Sequence, residues 1–307
     1  MRMLHICDLQ VGAENGRART KEEIEDRRRY FRELIAGLKN ISERYAIDYI
    51  LISGDIVYTA SGEEYEKAAD WLHKLSAACN IPMRQIYLCP GDRDMDREEG
   101  SFKEYEDFCH KIGAPVYALA GEENYLAGIA TNKDMNVICL NTPWLVQNIS
   151  LGFAFIKLIK CEKKYANGLP TVVLMHHSYF MENEKEDCGR KMIRNICSEL
   201  CSIADMVLMG HSHKAADRYR YEDHTYLCAN GAAYKDNRYY HNFHIYELGD
   251  CSEGGVDCIR TVYEYKDKGW RKRSENIKIA IGDKRKPKKE KPFRHSFSVI
   301  WWTRLES

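Results

Sequence analysis

Apolar residues in the first half of the chain fall into two patterns, short continuous runs and longer stretches with an apolar position every three or four residues. Leu4–Cys7, Tyr49–Ser53 and Gln85–Cys89 are runs of the first kind and predict buried strands. Lys21–Tyr45 and Glu63–Ala78, lying between them, carry the helical period. Val137–Leu140, Thr171–Met175 and Met206–Met209 predict three further strands. Helical patterns precede two of these, near Phe102–Lys111 and Arg190–Ile203. Strand and helix in alternation predict βαβ units and a layered α/β sheet.

The pattern changes after about residue 224. Tyr226–Ala229, Asn242–Leu248 and Cys258–Tyr265 predict successive strands, with Gly249-Asp250 and Gly254-Gly255 as turn residues between them. This β-rich finish is expected to form a second sheet packed on the first. One domain is therefore expected over residues 1–265, followed by a basic tail over 266–307. Within Lys266–Arg294 there are thirteen Lys or Arg against four Asp or Glu, a composition unsuited to a packed core. Phe297-Ser298-Val299-Ile300-Trp301-Trp302 follows. A solvated linker ending in one edge strand and a segment that binds a protein partner rank level for this tail. A nucleic-acid-binding tail, with Trp301 or Trp302 stacking on a base, ranks behind them.

Composition narrows the class without naming a partner. The 307 residues can bury a sizeable core, and 44% hydrophobic with 30% charged residues is ordinary for a soluble globular protein. Lys+Arg and Asp+Glu are both 46, so total charge favours no anionic or cationic partner. No apolar run approaches the ~20 residues of a membrane span, and the first residues lack a signal-peptide core, so a cytoplasmic protein is expected. Twelve cysteines occur without a CxxC pair, which favours reduced, buried thiols over zinc or disulfides.

The chemistry is concentrated after the strands. Asp8-Leu9-Gln10, Gly54-Asp55, Gly91-Asp92-Arg93-Asp94, His176-His177 and Gly210-His211-Ser212-His213 each follow a predicted strand. Ligands of open α/β sheets bind in the crevice beyond the carboxyl strand ends. A single strand-end Asp is usually a turn residue, and a single His is usually structural. Five such clusters at one edge point instead to a carboxylate–imidazole site for manganese, iron or zinc.

The order D-x-x, SGD, PGxxD, MHH and GHSH is similar to that of the calcineurin-like metallophosphoesterases, whose pattern is D-x-H, GD, GNH-[DE], H and GHxH. The resemblance covers residues 1–265. The text around Leu51–Asp55 and Pro90–Arg97 resembles the bacterial phosphodiesterase branch. This resemblance implies a four-layer αββα sandwich of two mixed β-sheets flanked by helices. It also implies hydrolysis of a phosphodiester by a metal-bound hydroxide at a binuclear centre. Carried over by position, Asp8, Gln10 and His213 hold the first metal, Asp55 bridges, and Asp92, His176 and His211 complete the second. Two divalent ions are implied, Mn²⁺ first with Fe or Zn as alternatives. His177 lies beside the metals, to contact phosphate or to pack.

Three positions depart from that pattern. Gln10 replaces a ligating histidine, and a neutral amide is the weaker donor, so the first metal is expected to be the weaker one. Asp92 replaces asparagine and adds charge to the second. Arg93 replaces the histidine credited with protonating the leaving oxygen. A guanidinium clamps phosphate well but gives up no proton near neutral pH. The alternative reading is therefore a weakened scaffold that binds a protein or nucleic-acid partner, as in the retromer subunit that shares this fold. Substrate choice is expected in the loops Thr142–Pro170, with Trp144, and Ser178–Gly189.

Overall fold

The computed structural model describes residues 1–14, 20–114, 127–148, 169–180, 188–213, 216–220, 225–233, 241–249, 256–266, 269–274 and 279–281. The first half runs β1 (Arg2–Ile6), α1 (Lys21–Arg44), β2 (Tyr49–Ser53), α2 (Gly62–Cys79), β3 (Ile86–Cys89) and α3 (Lys103–Ile112). Then come β4 (Ala127–Thr131), β5 (Asn136–Leu140), α4 (Thr142–Gln147), β6 (Thr171–Met175), α5 (Cys188–Leu200) and β7 (Met206–Met209). β8 (Ala216–Arg220), β9 (Thr225–Ala229), β10 (Asn242–Leu248), β11 (Val256–Lys266), β12 (Gly269–Ser274) and β13 (Ile279–Ile281) complete the chain.

These strands form two sheets. One has the order β12-β11-β10-β1-β2-β3, with β13 also on β11, and the other β4-β5-β6-β7-β9-β8. β1, β2 and β3 are parallel, and so are β5, β6, β7 and β9. Alternation along each strand divides the apolar residues into three layers. Leu4, Ile6, Ile50 and Ile52 pack under α1 and α2, with Tyr30, Leu34 and Leu72. Leu51, Tyr87, Leu174, Leu208 and Tyr246 meet between the sheets. Val173, Met175, Val207 and Met209 pack against Ile193, Ile196 and Leu200 of α5. Strands buried on both faces read as continuous apolar runs, which is why they were conspicuous in the sequence. The result is the expected four-layer α/β sandwich of two mixed sheets.

Local chemistry sets the helix ends. Thr20 Oγ1 accepts from Glu23 N–H while the Glu23 carboxylate accepts from Thr20 N–H, a reciprocal cap that starts α1. α2 ends on Asn80 in the left-handed region. Asn141 caps the short α4 through Trp144 N–H, so the loop expected from Thr142 begins with a helical turn and a half.

The β-rich finish is not a second sheet. β9 completes the parallel core of one sheet, and β10 and β11 return to the other beside β1. Alternation identifies a strand but is silent on which sheet it joins. The sheet also continues beyond residue 265, because β12 and β13 both pair with β11. Trp270 of β12 packs on Tyr30, Phe243 and Tyr265 while Arg271 and Arg273 face solvent. High Lys/Arg content hides that one inward aromatic position. The segment Phe297–Trp302, with Trp301 and Trp302, lies outside the described residues, as do residues 149–168 and 181–187 of the substrate loops. Nine of the cysteines are described as free and buried. No described helix is long and apolar enough to cross a membrane.

Candidate metal centre

Because β1, β2 and β3 run parallel, as do β6 and β7, their carboxyl ends deliver all five polar clusters to one edge. The backbone there is unusual. Asp8 (φ +54°), Gln10 (+46°), Asp55 (+52°), His211 (+65°) and His213 (+52°) all occupy the left-handed region, which L-residues avoid. Each such residue stores about 1–3 kcal/mol, and strain of this kind gathers at functional sites. Glycine permits the approach of the chains. A Cβ at Gly54, itself at φ +81°, would lie 2.5 Å from His176 Nδ1, and one at Gly91 would lie 2.2 Å from Asp55 N.

The side chains converge in two overlapping groups. In the first, His213 Nε2 is 3.0 Å from Asp8 Oδ1, and ligand atoms of Asp8, Asp55 and His213 lie within 4.8 Å of one another. Gln10 joins this group through its amide, whose Nε2 donates to Asp55 Oδ2 at 3.3 Å. In the second, His211 Nδ1 is 3.1 Å and His177 Nε2 3.4 Å from the Asp92 carboxylate. His176 Nε2 lies between the groups, 3.4 Å from Asp55 Oδ1, 3.9 Å from Asp92 Oδ2 and 3.2 Å from His211 Nδ1. Thus His177, expected beside the metals, sits within the second set of donor atoms.

Supporting hydrogen bonds aim these groups. His176 Nδ1 is 3.0 Å from Ser53 O; a carbonyl only accepts, so Nδ1 carries the proton and Nε2 turns a lone pair inward. Thr142 Oγ1 takes the same place behind His177 Nδ1 at 3.0 Å. Asp94 is buried and accepts from the N–H groups of Gly91, Ile56 and Val57, locking the loops of Asp55 and Asp92 together. Behind Gln10, the buried Arg27 donates to Leu9 O at 2.8 Å and Gln10 O at 2.5 Å. Asp94, Ser53, Thr142 and Arg27 were not assigned roles from the sequence. Only Asp94 left a signal, as the acidic residue ending Gly91-Asp92-Arg93-Asp94.

Charge is crowded here. Burial, with the charges of Asp8 and Asp92, pushes the Asp55 carboxyl above its ordinary value against the pull of His176. Burial is the largest single influence on Asp8 and Asp92 and acts to raise both, but the hydrogen bonds from His213 and His211 together with the charges of the surrounding histidines outweigh it. Asp8 is held at about 2, and Asp92 well below the carboxylate range. The histidines answer in kind. Burial opposes protonation of His211 and His213, yet Asp92 raises the first to about 9 and Asp8 raises the second. Burial takes His177 down to about 3, and burial beside Asp55 raises Asp94 to about 7.

Three converging carboxylates, with imidazole nitrogens turned inward by carbonyl and hydroxyl partners, fit divalent cations of the manganese, iron and zinc kind. Arg93 stands at the rim. Its N–H donates to Asp55 Oδ1 at 3.0 Å, its Nε is 3.5 Å from Asp55 Oδ2, and its guanidinium lies over Tyr58, 4.4 Å from the ring centre.

A family model described as calcineurin-like phosphoesterase matches residues 1–215. Among solved structures, the chain is similar to a dimetal phosphatase from Danio rerio, at 11% identity over 92% of this chain and 99% of that one, with a TM-score of 0.54. It is also similar to GAP50, the anchor in the inner membrane complex of Plasmodium, at 13% identity over 91% and 89%, with a TM-score of 0.55. Zinc-complexed Vps29 from Entamoeba histolytica matches at 14% identity over 91% and 99%, with a TM-score of 0.43. No curated protein matches the sequence.

Proposed function

The chain belongs to the calcineurin-like phosphoesterase family, and on that premise we propose that it is a metal-dependent phosphoesterase acting on a phosphodiester. The observation that carries this reading is the pair of donor groups, Asp8–Asp55–His213 and Asp92–His177–His211, with His176 between them. Asp8, Asp55, His213 and the Gln10 amide would hold one ion, and Asp92, His176, His177 and His211 the other, with Asp55 common to both. Manganese suits these donors, as do iron and zinc. Held there, two such ions would supply charge for the phosphoryl oxygens and would lower the pKa of a water toward neutrality.

The chain's own residues then orient the ester. Arg93 is anchored by its backbone N–H on Asp55 and by its guanidinium over Tyr58, which leaves a partly exposed cationic fork at the rim. That fork binds and orients a phosphate oxygen. It gives no proton to the leaving oxygen, because a guanidinium stays charged near neutral pH. His177 does not take over that task, since its two nitrogens face Thr142 and Asp92. Hydrolysis accordingly favours esters whose leaving group departs as an anion.

Purified protein loaded with Mn²⁺ is expected to hydrolyse bis-p-nitrophenyl phosphate, and Asp55→Ala to lose about 10³-fold or more of that rate as the shared ligand goes. If wild type and variant are equally inert on diesters, nucleic acids and monoesters, the enzyme reading is wrong and the fold serves as a scaffold.

A further inference from the structure

We propose that the groove between α1 and α2 is a second ligand site, for a small aromatic phosphate of the nucleoside phosphate class. Both helices turn the same kind of face to it. Arg28, Phe31, Arg32 and Ile35 follow the i, i+3, i+4, i+7 spacing on α1, and Lys67, Asp70, Trp71 and Lys74 follow it on α2. The two faces enclose a cavity of about 410 Å³, within the size range of small-molecule sites. None of the candidate metal ligands lines it, so the site does not depend on the proposed hydrolysis.

Charge and shape select the ligand. Among the described residues that line the groove, five cations (Arg27 and the four above) stand against two carboxylates, Glu14 and Asp70. Glu14 is already engaged by Arg27, 3.1 Å from its Nε. Arg32 and Lys67 reach Glu25 and Glu63 through exposed ion pairs, which are weak and easily exchanged. Arg28 and Lys74 make no salt bridge among the described residues. Like charges at i, i+4, as in Arg28 and Arg32, repel unless an anion lies between them. The floor is apolar and aromatic, with Phe31 and Trp71 edge to face at 5.7 Å and Arg27 over the Phe31 ring at 5.0 Å. Trp71 is 8% exposed, so its indole forms part of the floor under the two rows of cations. An aromatic ring on the floor and phosphate between the cations satisfies both halves of the groove. A cavity of about 410 Å³ takes a small anion rather than the length of a nucleic-acid strand.

The test is calorimetric titration of the full-length chain in EDTA with ADP, inorganic phosphate and a short single-stranded oligonucleotide. ADP is expected to bind one per chain. Arg28→Glu with Lys74→Glu, both at exposed positions, should weaken it about 10-fold or more, and inorganic phosphate should bind about 10-fold more weakly than ADP. Asp55→Ala should bind ADP as wild type does, which separates this result from the fate of the hydrolase reading. The proposal is overturned if ADP fails to bind at millimolar concentration, or if the charge reversals leave its affinity unchanged. It is equally overturned if phosphate alone matches ADP, or if the oligonucleotide binds more tightly than ADP.

Discussion

The two halves of the candidate metal centre are built differently. Asp8, Gln10, Asp55 and His213 bring two buried carboxylates, one imidazole and a neutral amide, all four on left-handed backbone. Asp92, His176, His177 and His211 bring one carboxylate and three imidazoles, two of which are aimed by Ser53 O and Thr142 Oγ1. Every residue of the first half sits on strained backbone, whereas in the second only His211 does and His176 and His177 are held by hydrogen bonds behind their rings. Preorganised imidazoles bind a transition metal more tightly than an amide can, so the second half should fill first.

Changes at single residues can break or sharpen that contrast. The largest effect should come from Arg93→His, which returns a titratable group to the rim the two halves share. Hydrolysis of alkyl-leaving-group diesters should rise about 10²-fold, and that of bis-p-nitrophenyl phosphate much less, as general-acid help matters most for poor leaving groups. Equal acceleration of both would show that Arg93 does not limit proton delivery. Next is Gln10→His. Replacing the amide with imidazole should tighten the weaker Mn²⁺ site about 10-fold, so that two unequal binding phases draw together in a titration. Two phases left as far apart as before would mean that Gln10 is not a ligand. The smallest is Thr142→Val, which removes the hydroxyl behind His177 at nearly constant volume. It should weaken only the tighter site, by about 1 kcal/mol or roughly fivefold. Weakening of the other phase instead would assign the two halves the wrong way round.

How much of this was legible beforehand varied with the element. Tyr49–Ser53, Thr171–Met175 and Met206–Met209 were bounded to the residue, because strands buried on both faces leave continuous apolar runs, and Asn242–Leu248, which carries Asn, His and Glu, was bounded by the turn residues Gly249-Asp250 after it. β4 and β8 were not foreseen. Both are edge strands; Ala127–Thr131 is made mostly of small residues with Ile129 its one large apolar side chain, and Ala216–Arg220 is largely polar. β12 was concealed by its arginines, although Trp270 packs inward. The ligand candidates stood out because each follows a strand end directly. Their supports did not, since Thr142 lies thirty-five residues from His177 and Ser53 lies 123 from His176.

The sequence by itself determined the layered α/β class, the strand-end donors and the three departures at Gln10, Asp92 and Arg93. The class and the donors are properties of neighbouring residues, set by local periodicity and side-chain chemistry, and the departures are visible against the motif order the sequence resembles. Only the tertiary structure decided that β9 and β10 part to different sheets, and that His177 meets Asp92. It also decided that Asp94 clamps two loops, and that α1 and α2 pair their basic faces over one groove. Each of these depends on chains far apart in sequence being brought within a few ångströms, and no local pattern encodes that approach.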